Sequence, residues 1–255
     1  MGIFGKSFAK LYFCRTNKLN LNKMENNYYS ISGQAATEVG SLMKSVYMWM
    51  TIALGVTGVV ALYVAQSTEL LYSIFSNSML FWGLIIAEVV LVLVMTARLH
   101  KMSFSTSLIL FMLYSFINGV TLSVLLIAYT KESVATTFFV TAGTFGLMSF
   151  IGYVTKRDLS KLGSIFMMLL IGLLVATVVN IFMASSTLYW IITYAGVLIF
   201  VGLTIYDTQK IKRMLEFNQG DSETTQKLAL MGALTLYLDF INLFIYLLRI
   251  LGDRK

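Results

Sequence analysis

The chain has 255 residues, 58% of them hydrophobic and only 12% charged, with a net charge of +7 and a mean hydropathy of +0.79. A soluble domain of this length would carry about a quarter of its residues as charges, so the composition excludes a water-soluble globular fold and indicates an integral membrane protein. The single cysteine (Cys14), the single histidine (His100) and the absence of proline exclude an intramolecular disulfide, a histidine triad, a multi-histidine metal centre and proline-kinked helices.

Residues 1–46 read as a basic and polar tail carrying Lys6, Lys10, Arg15, Lys18, Lys23 and Lys44. Residues 1–23 hold five bases and no acid. That suits a transit peptide, but there is no signal-peptide apolar run. The alternative is that translation begins at Met24, ahead of the polar stretch 25–34. A spanning helix needs about 20 apolar residues, and seven segments qualify in chain order: Tyr47–Ala65, Met79–Ala97, Ser107–Ala128, Val134–Val154, Gly163–Met183, Leu188–Tyr206 and Leu228–Leu251. Barrel strands would be about ten residues long and strictly alternating, so the expected fold is all-α with seven transmembrane helices. With no strict GxxxG motif, close packing falls to small residues such as Gly55, Gly58, Gly143, Gly146, Gly172 and Gly196.

Orientation follows from lysine and arginine in short loops. The tail, the loop after the second span (Arg98, Lys101), the loop after the fourth (Lys156, Arg157, Lys161) and the loop after the sixth (Lys210, Lys212, Arg213, Lys227) are basic, whereas the opposite loops hold only Lys131. The N-terminus is therefore expected in the cytoplasm, and the +7 balance reflects these loops and not nucleic acid. Seven spans place the C-terminus outside, although Arg249, Arg254 and Lys255 end the chain. Either the tail tolerates that bias, which is the preferred reading, or the last helix re-enters.

The informative residues are acids in apolar surroundings. Asp239 lies inside the run 228–248 and Asp207 directly follows the sixth span. A charge at mid-bilayer costs about 2.5–3.5 kcal/mol on the milder scale. Two carboxyl groups sharing a dry site cannot both ionise cheaply, so a proton held between Asp207 and Asp239 would join the last two helices. Arg98, ending the second span at the same membrane face, could instead neutralise one of them with a forked pair. Either arrangement is a pH-sensitive latch over a path of carboxylate oxygens. With Asn242 one turn beyond Asp239, Asp207 and Asp239 would form a weak transit site for Ca²⁺, too poor in ligands for storage. Glu88, about 15 Å along its helix from Arg98, extends such a cation path outward. Plainer readings stand beside these. Asp207 would be a solvated helix end near Lys210, Asp239 a structural partner of a Tyr or Asn, and Glu88 a protonated acid bonded to a neighbouring backbone. Asn118 and Asn180 read as packing groups, His100 as a loop residue, and Trp49, Trp82 and Trp190 as interface anchors.

No P-loop, dinucleotide-binding, HExxH or nucleophile-elbow motif is present, so no cofactor and no enzymatic activity are expected. A two-aspartate intramembrane protease is disfavoured. Its Gly-any-Gly-Asp signature is replaced before Asp239 by Leu236-Tyr-Leu.

The segments Tyr206-Asp-Thr-Gln-Lys-Ile-Lys212, Ala233-Leu-Thr-Leu-Tyr-Leu-Asp-Phe-Ile-Asn-Leu-Phe244 and Leu247-Leu-Arg-Ile-Leu-Gly252 resemble the Bax inhibitor-1 (TMBIM) family, in its bacterial form. Weaker support comes from Glu88, Asn118-Gly119-Val-Thr-Leu and Asn180-Ile-Phe. The resemblance covers residues 47–252 and implies six helices around a central seventh, in a bacterial inner membrane. It also implies a pH-sensitive Ca²⁺ leak gated by an aspartate pair, which maps onto Asp207 and Asp239, with a latching arginine mapping onto Arg98. The spacing of Arg98 from Glu88 is one residue short of the bacterial pattern, which turns it by about 100° of helix. A second implication is a regulatory protein that binds a membrane-bound AAA protease, or another membrane partner, without transport. The expected partners are thus the lipid bilayer, Ca²⁺ or protons, and such a membrane protein.

Overall fold

Eight α-helices make up the regular structure of the computed structural model, which describes residues 37–98, 101–218 and 222–255. They are α1 (Thr37–Gln66), α2 (Thr68–Phe75), α3 (Ser78–Arg98), α4 (Phe104–Ala128), α5 (Lys131–Val154), α6 (Ser160–Met183), α7 (Ser186–Phe217) and α8 (Ser222–Leu251). All but α2 are long and apolar enough to cross a membrane, so the chain is an all-α, multi-pass membrane protein. The proposed start at Met24, the polar stretch 25–34 and His100 lie outside the described residues. Residues 37–41 open α1, and everything below concerns residues 42–255, which form one unit.

Local chemistry sets the helix ends. Ser67, Ser103, Thr130 and Ser185 are N-caps whose hydroxyls accept from the backbone N–H groups of Leu70, Thr106, Ser133 and Leu188, satisfying donors that the first turn leaves free. The α6–α7 turn needs a left-handed residue, Ala184 at φ 48°. Asn180 secures it, accepting Ala184 N–H on its backbone oxygen and Ser185 N–H on Oδ1. Asn180 is therefore a turn staple.

Three boundaries differ from the sequence expectation, the first being that α1 starts at Thr37, ten residues before Tyr47 and inside the segment 1–46 expected as a tail. The sixth span continues eleven residues past Tyr206 to Phe217, because Gln209 and Lys212 fold back onto the α5–α6 loop. Gln209 Nε2 donates to the carbonyls of Thr155 (3.0 Å) and Arg157 (2.8 Å), its Oε1 accepts Leu159 N–H, and Lys212 Nζ donates to Tyr153 O. Basic residues that mark a loop in sequence thus sit on an extended helix. The last helix begins at Ser222 and runs unbroken to Leu251, long and apolar enough to cross a membrane. Its basic tail is used locally. Thr130 N–H donates to Asp253 O, Lys255 N–H to Ala128 O, and Arg254 to the Tyr189 hydroxyl, pinning the tail to the α4–α5 connection.

Burial is uneven. Two-thirds of the most apolar stretch of α8 (67%) is inside the protein, against 6% for α3 and for α6. Packing of α8 on α4, α5 and α7, with a hydrogen bond from Thr57 of α1 to Tyr237, accounts for four of the six neighbours that the resemblance implies. The glycines that permit close approach are not those expected. A Cβ at Gly55, Gly58, Gly143, Gly146 or Gly172 would meet nothing within 4 Å, whereas Gly119 lies against Thr57 O, Gly152 against Ile205 O, Gly163 under the Tyr206 ring and Gly202 under the Phe166 ring. Only Gly196, under Tyr246, serves as anticipated.

Candidate functional site

Alternation along α8 divides the molecule. Met231, Leu234, Thr235, Leu238, Asp239 and Asn242 recur at helical spacing on one side, while Tyr237, Phe240, Ile241 and Phe244 form a second stripe. The first stripe faces a cavity of about 470 Å³ whose other walls come from α3, α4, α6 and α7. Glu88, Asp207, Asp239 and Asn242 all line it. The structure thus brings together on one surface the acids and the amide that the sequence singles out.

Asp207 is 8% exposed and Asp239 5%. Their carboxyl groups face each other closely enough to interact across the α7–α8 interface. An ionised carboxylate only accepts, so a hydrogen bond between the two groups would need a shared proton. The buried Oδ2 of Asp239 has no hydrogen-bond partner among the described residues. Asp207 is therefore an interior residue of α7 and not a solvated helix end.

Arg98 does not join them. It is exposed at the end of α3, and the ion pairs among the described residues are Lys212–Glu216, Arg213–Asp158 and Lys227–Glu223. The reason is helical phase. The face of α3 on the cavity carries Glu88, Val89, Val92, Leu93 and Thr96, and Arg98, two residues beyond Thr96, is about 200° away. Lys210, three residues beyond Asp207 on the same helix, has its ammonium 5.8 Å from the centre of the Tyr206 ring.

Other lining groups leave oxygens toward the cavity. Thr96 Oγ1 donates to Val92 O (2.8 Å), Thr235 Oγ1 to Met231 O (3.1 Å) and Asn242 Nδ2 to Leu238 O (2.8 Å), so each directs a hydrogen to its own helix. Glu88 accepts from Thr121 Oγ1 at 2.7 Å, and that hydroxyl also reaches Asn118 O at 3.0 Å. Asn118 Oδ1 in turn accepts from the Tyr237 hydroxyl (3.1 Å), which also bonds Thr57 Oγ1 (2.7 Å). Glu88 is thereby the end of a buried polar chain crossing from α1 through α8 and α4 to α3. Neither Tyr237 nor Thr57 is distinguishable in sequence from the apolar runs around it. Asn118, expected to be a packing group, is the central link. Among the described residues, no three of His, Cys, Asp and Glu are grouped closely enough to hold a metal ion; the acids are spread along the cavity.

At the α5–α6 end, Arg213 pairs with Asp158 at 2.6 Å. The Ser160 hydroxyl and then the Arg213 guanidinium hold the exposed Asp158 carboxyl down to about 2.

Residues 39–255 match the family model described as inhibitor of apoptosis-promoting Bax1. The inner membrane protein YbhL of Escherichia coli K12 is 50% identical over 84% of this chain and 92% of its own length. An uncharacterized protein of Borreliella burgdorferi is 44% identical over 84% and 92%, and the uncharacterized protein RP147 of Rickettsia prowazekii 43% identical over 84% and 89%. With the family model matching residues 39–255 and relatives 43–50% identical over 84% of the chain, the protein belongs to the Bax inhibitor-1 family.

Proposed function

We propose that the protein is a pH-sensitive leak for small cations, Ca²⁺ among them, in a bacterial inner membrane, the location named for its relative YbhL. The observation that carries this reading is the buried Asp207–Asp239 pair on a cavity that also holds Glu88 and Asn242. With one proton shared, the two helices are tied. Without it, two negative charges meet in a site poor in water, where they repel, and the α7–α8 contact loosens beside a file of carboxylate oxygens. Such oxygens suit a hard cation, and their spread favours transit over storage. The proposed role is conduction and not catalysis. By the distribution of basic loops, the N-terminal side of α1 faces the cytoplasm.

The test is Ca²⁺ flux into dye-loaded liposomes across a pH series, with wild type, Asp207→Asn, Asp239→Asn and Arg98→Ala. Wild type should show flux that varies with pH, the two Asn variants a flat profile, and Arg98→Ala the wild-type profile. A wild-type curve superimposable on that of Asp239→Asn at every pH removes the pair from the mechanism. Flux no greater than that of empty liposomes favours instead a protein that acts by binding a membrane partner such as an AAA protease.

A further inference from the structure

On the other side of α8 lies a second recess, an apolar groove of about 350 Å³ between α1, α4, α5 and α8. Thr57 and Lys131 are the only lining residues with a polar side chain among the described residues. Thr57 is already committed, its hydroxyl bonding Ser115 O and Tyr237 Oη. The groove therefore offers a ligand no hydrogen bond along its length. Its charged group is at one end, where Lys131 opens α5.

Lys131, Val134, Ala135 and Phe138 share one helical face, i, i+3, i+4 and i+7, and all line the groove. Lys131 is exposed and makes no ion pair among the described residues. A second ammonium is close by, since Lys255 Nζ donates to the carbonyl of Leu126, another lining residue. The acids nearby point elsewhere. Glu132 is about 100° round the helix and outside the lining, and Asp253 is held by Ser133, about 200° from Lys131 on α5. A long apolar slot with one cationic end, opening on the bilayer, complements a molecule with a hydrocarbon chain and an anionic head.

We propose that the groove between α1 and α5 binds one acyl chain of an anionic phospholipid, whose phosphate is held by Lys131 and Lys255. This site is separate from the cation cavity and does not depend on the leak.

The experiment uses the full chain, purified in detergent and offered equal amounts of a phosphatidylglycerol and a phosphatidylcholine with the same acyl chains. Bound lipid is counted by native mass spectrometry. Wild type should retain phosphatidylglycerol in preference. Lys131→Glu and Lys255→Glu should each cut that preference roughly fivefold, the factor expected for about 1 kcal/mol per lysine at an anionic surface. Gly58→Leu fills the groove from a position where an added Cβ meets nothing within 4 Å, and should lower retention of both lipids while the melting temperature holds. Equal retention of the two lipids by wild type overturns the proposal. So does a preference that survives Lys131→Glu, lipid retention unchanged in Gly58→Leu, or a dimer closed over this face that excludes lipid.

Discussion

The cavity and the groove are built on the same helix, yet they have opposite chemistry. Residues 237–244, Tyr-Leu-Asp-Phe-Ile-Asn-Leu-Phe, interleave their walls. Leu238, Asp239 and Asn242 turn to the cavity, and Phe240, Ile241 and Phe244 to the groove. Tyr237 stands between them, its ring edge-on to Phe111 and Tyr114 and its hydroxyl linking Thr57 to Asn118. A rotation of 100° per residue is enough to turn Asp239 and Asn242 toward Glu88 and Asp207 on one side of the helix and only apolar side chains to the other. The compactness of that motif reflects two surfaces specified at once.

The most disruptive way to test the division is to place the same charge on each side. Phe240 is 3% exposed and packs edge-on against Phe138 and Phe145. Phe240→Asp should cost on the order of 5 kcal/mol from lost ring packing and an unpartnered acid. Leu238→Asp, beside existing polar groups, should cost about 2 kcal/mol less. Denaturant titration in mixed micelles, followed by tryptophan fluorescence, measures both, and equal losses would dissolve the distinction.

Next in size is Asp207→Ala, which strands the Asp239 carboxyl at a cost of about 2 kcal/mol. Asp207→Asn should recover more than half of this, because an amide can donate to Asp239 without a shared proton. The same titration separates them. Tyr237→Phe should cost about 1 kcal/mol by removing the hydroxyl between Thr57 and Asn118 while leaving the ring contacts in place. A full-size loss on removing that oxygen from a Thr57→Val background would show that it acts apart from the chain.

The smallest effect is at the surface. Asp158 is held at about 2, below its ordinary 3.8, so its contribution is complete above about pH 4 and is lost as pH falls toward 2. Asp158→Asn should therefore melt slightly below wild type at pH 5, with the gap closing as the pH is lowered. A gap that widens on acidification would contradict the assignment.

Much of this was legible in the sequence because a membrane simplifies the code. Seven spans follow from apolar length, and an acid inside a span stands out against its neighbours. Glu88, Asp207, Asp239 and Asn242, each singled out in sequence, line one cavity, whereas the convergence expected from chain direction joins Arg98 to the two aspartates. What escaped was set by rotation and by small residues. Arg98 has the right depth for a latch but the wrong phase. The true packing glycines, Gly119, Gly152, Gly163 and Gly202, look no different in sequence from Gly143 or Gly172, since only the partner helix decides which one it meets. Gln209 and Lys212 read as loop residues because polarity in a membrane chain resembles an exit. Here it marks a helix end that closes the neighbouring loop.

The mutual seating of α6 and α7 bears on how the cavity changes shape. Phe166 of α6 rests over Gly202 of α7, while Tyr206 of α7 rests over Gly163 of α6. Met167, Leu170 and Leu174, beyond these seats along α6, form its wall of the cavity. For that wall to slide along α7, both rings must leave their notches together, since the helices carry them in opposite directions. A mechanism with two such detents resists small displacements and then moves by a whole turn, about 5.4 Å. The wall should therefore behave as a ratchet with discrete stops.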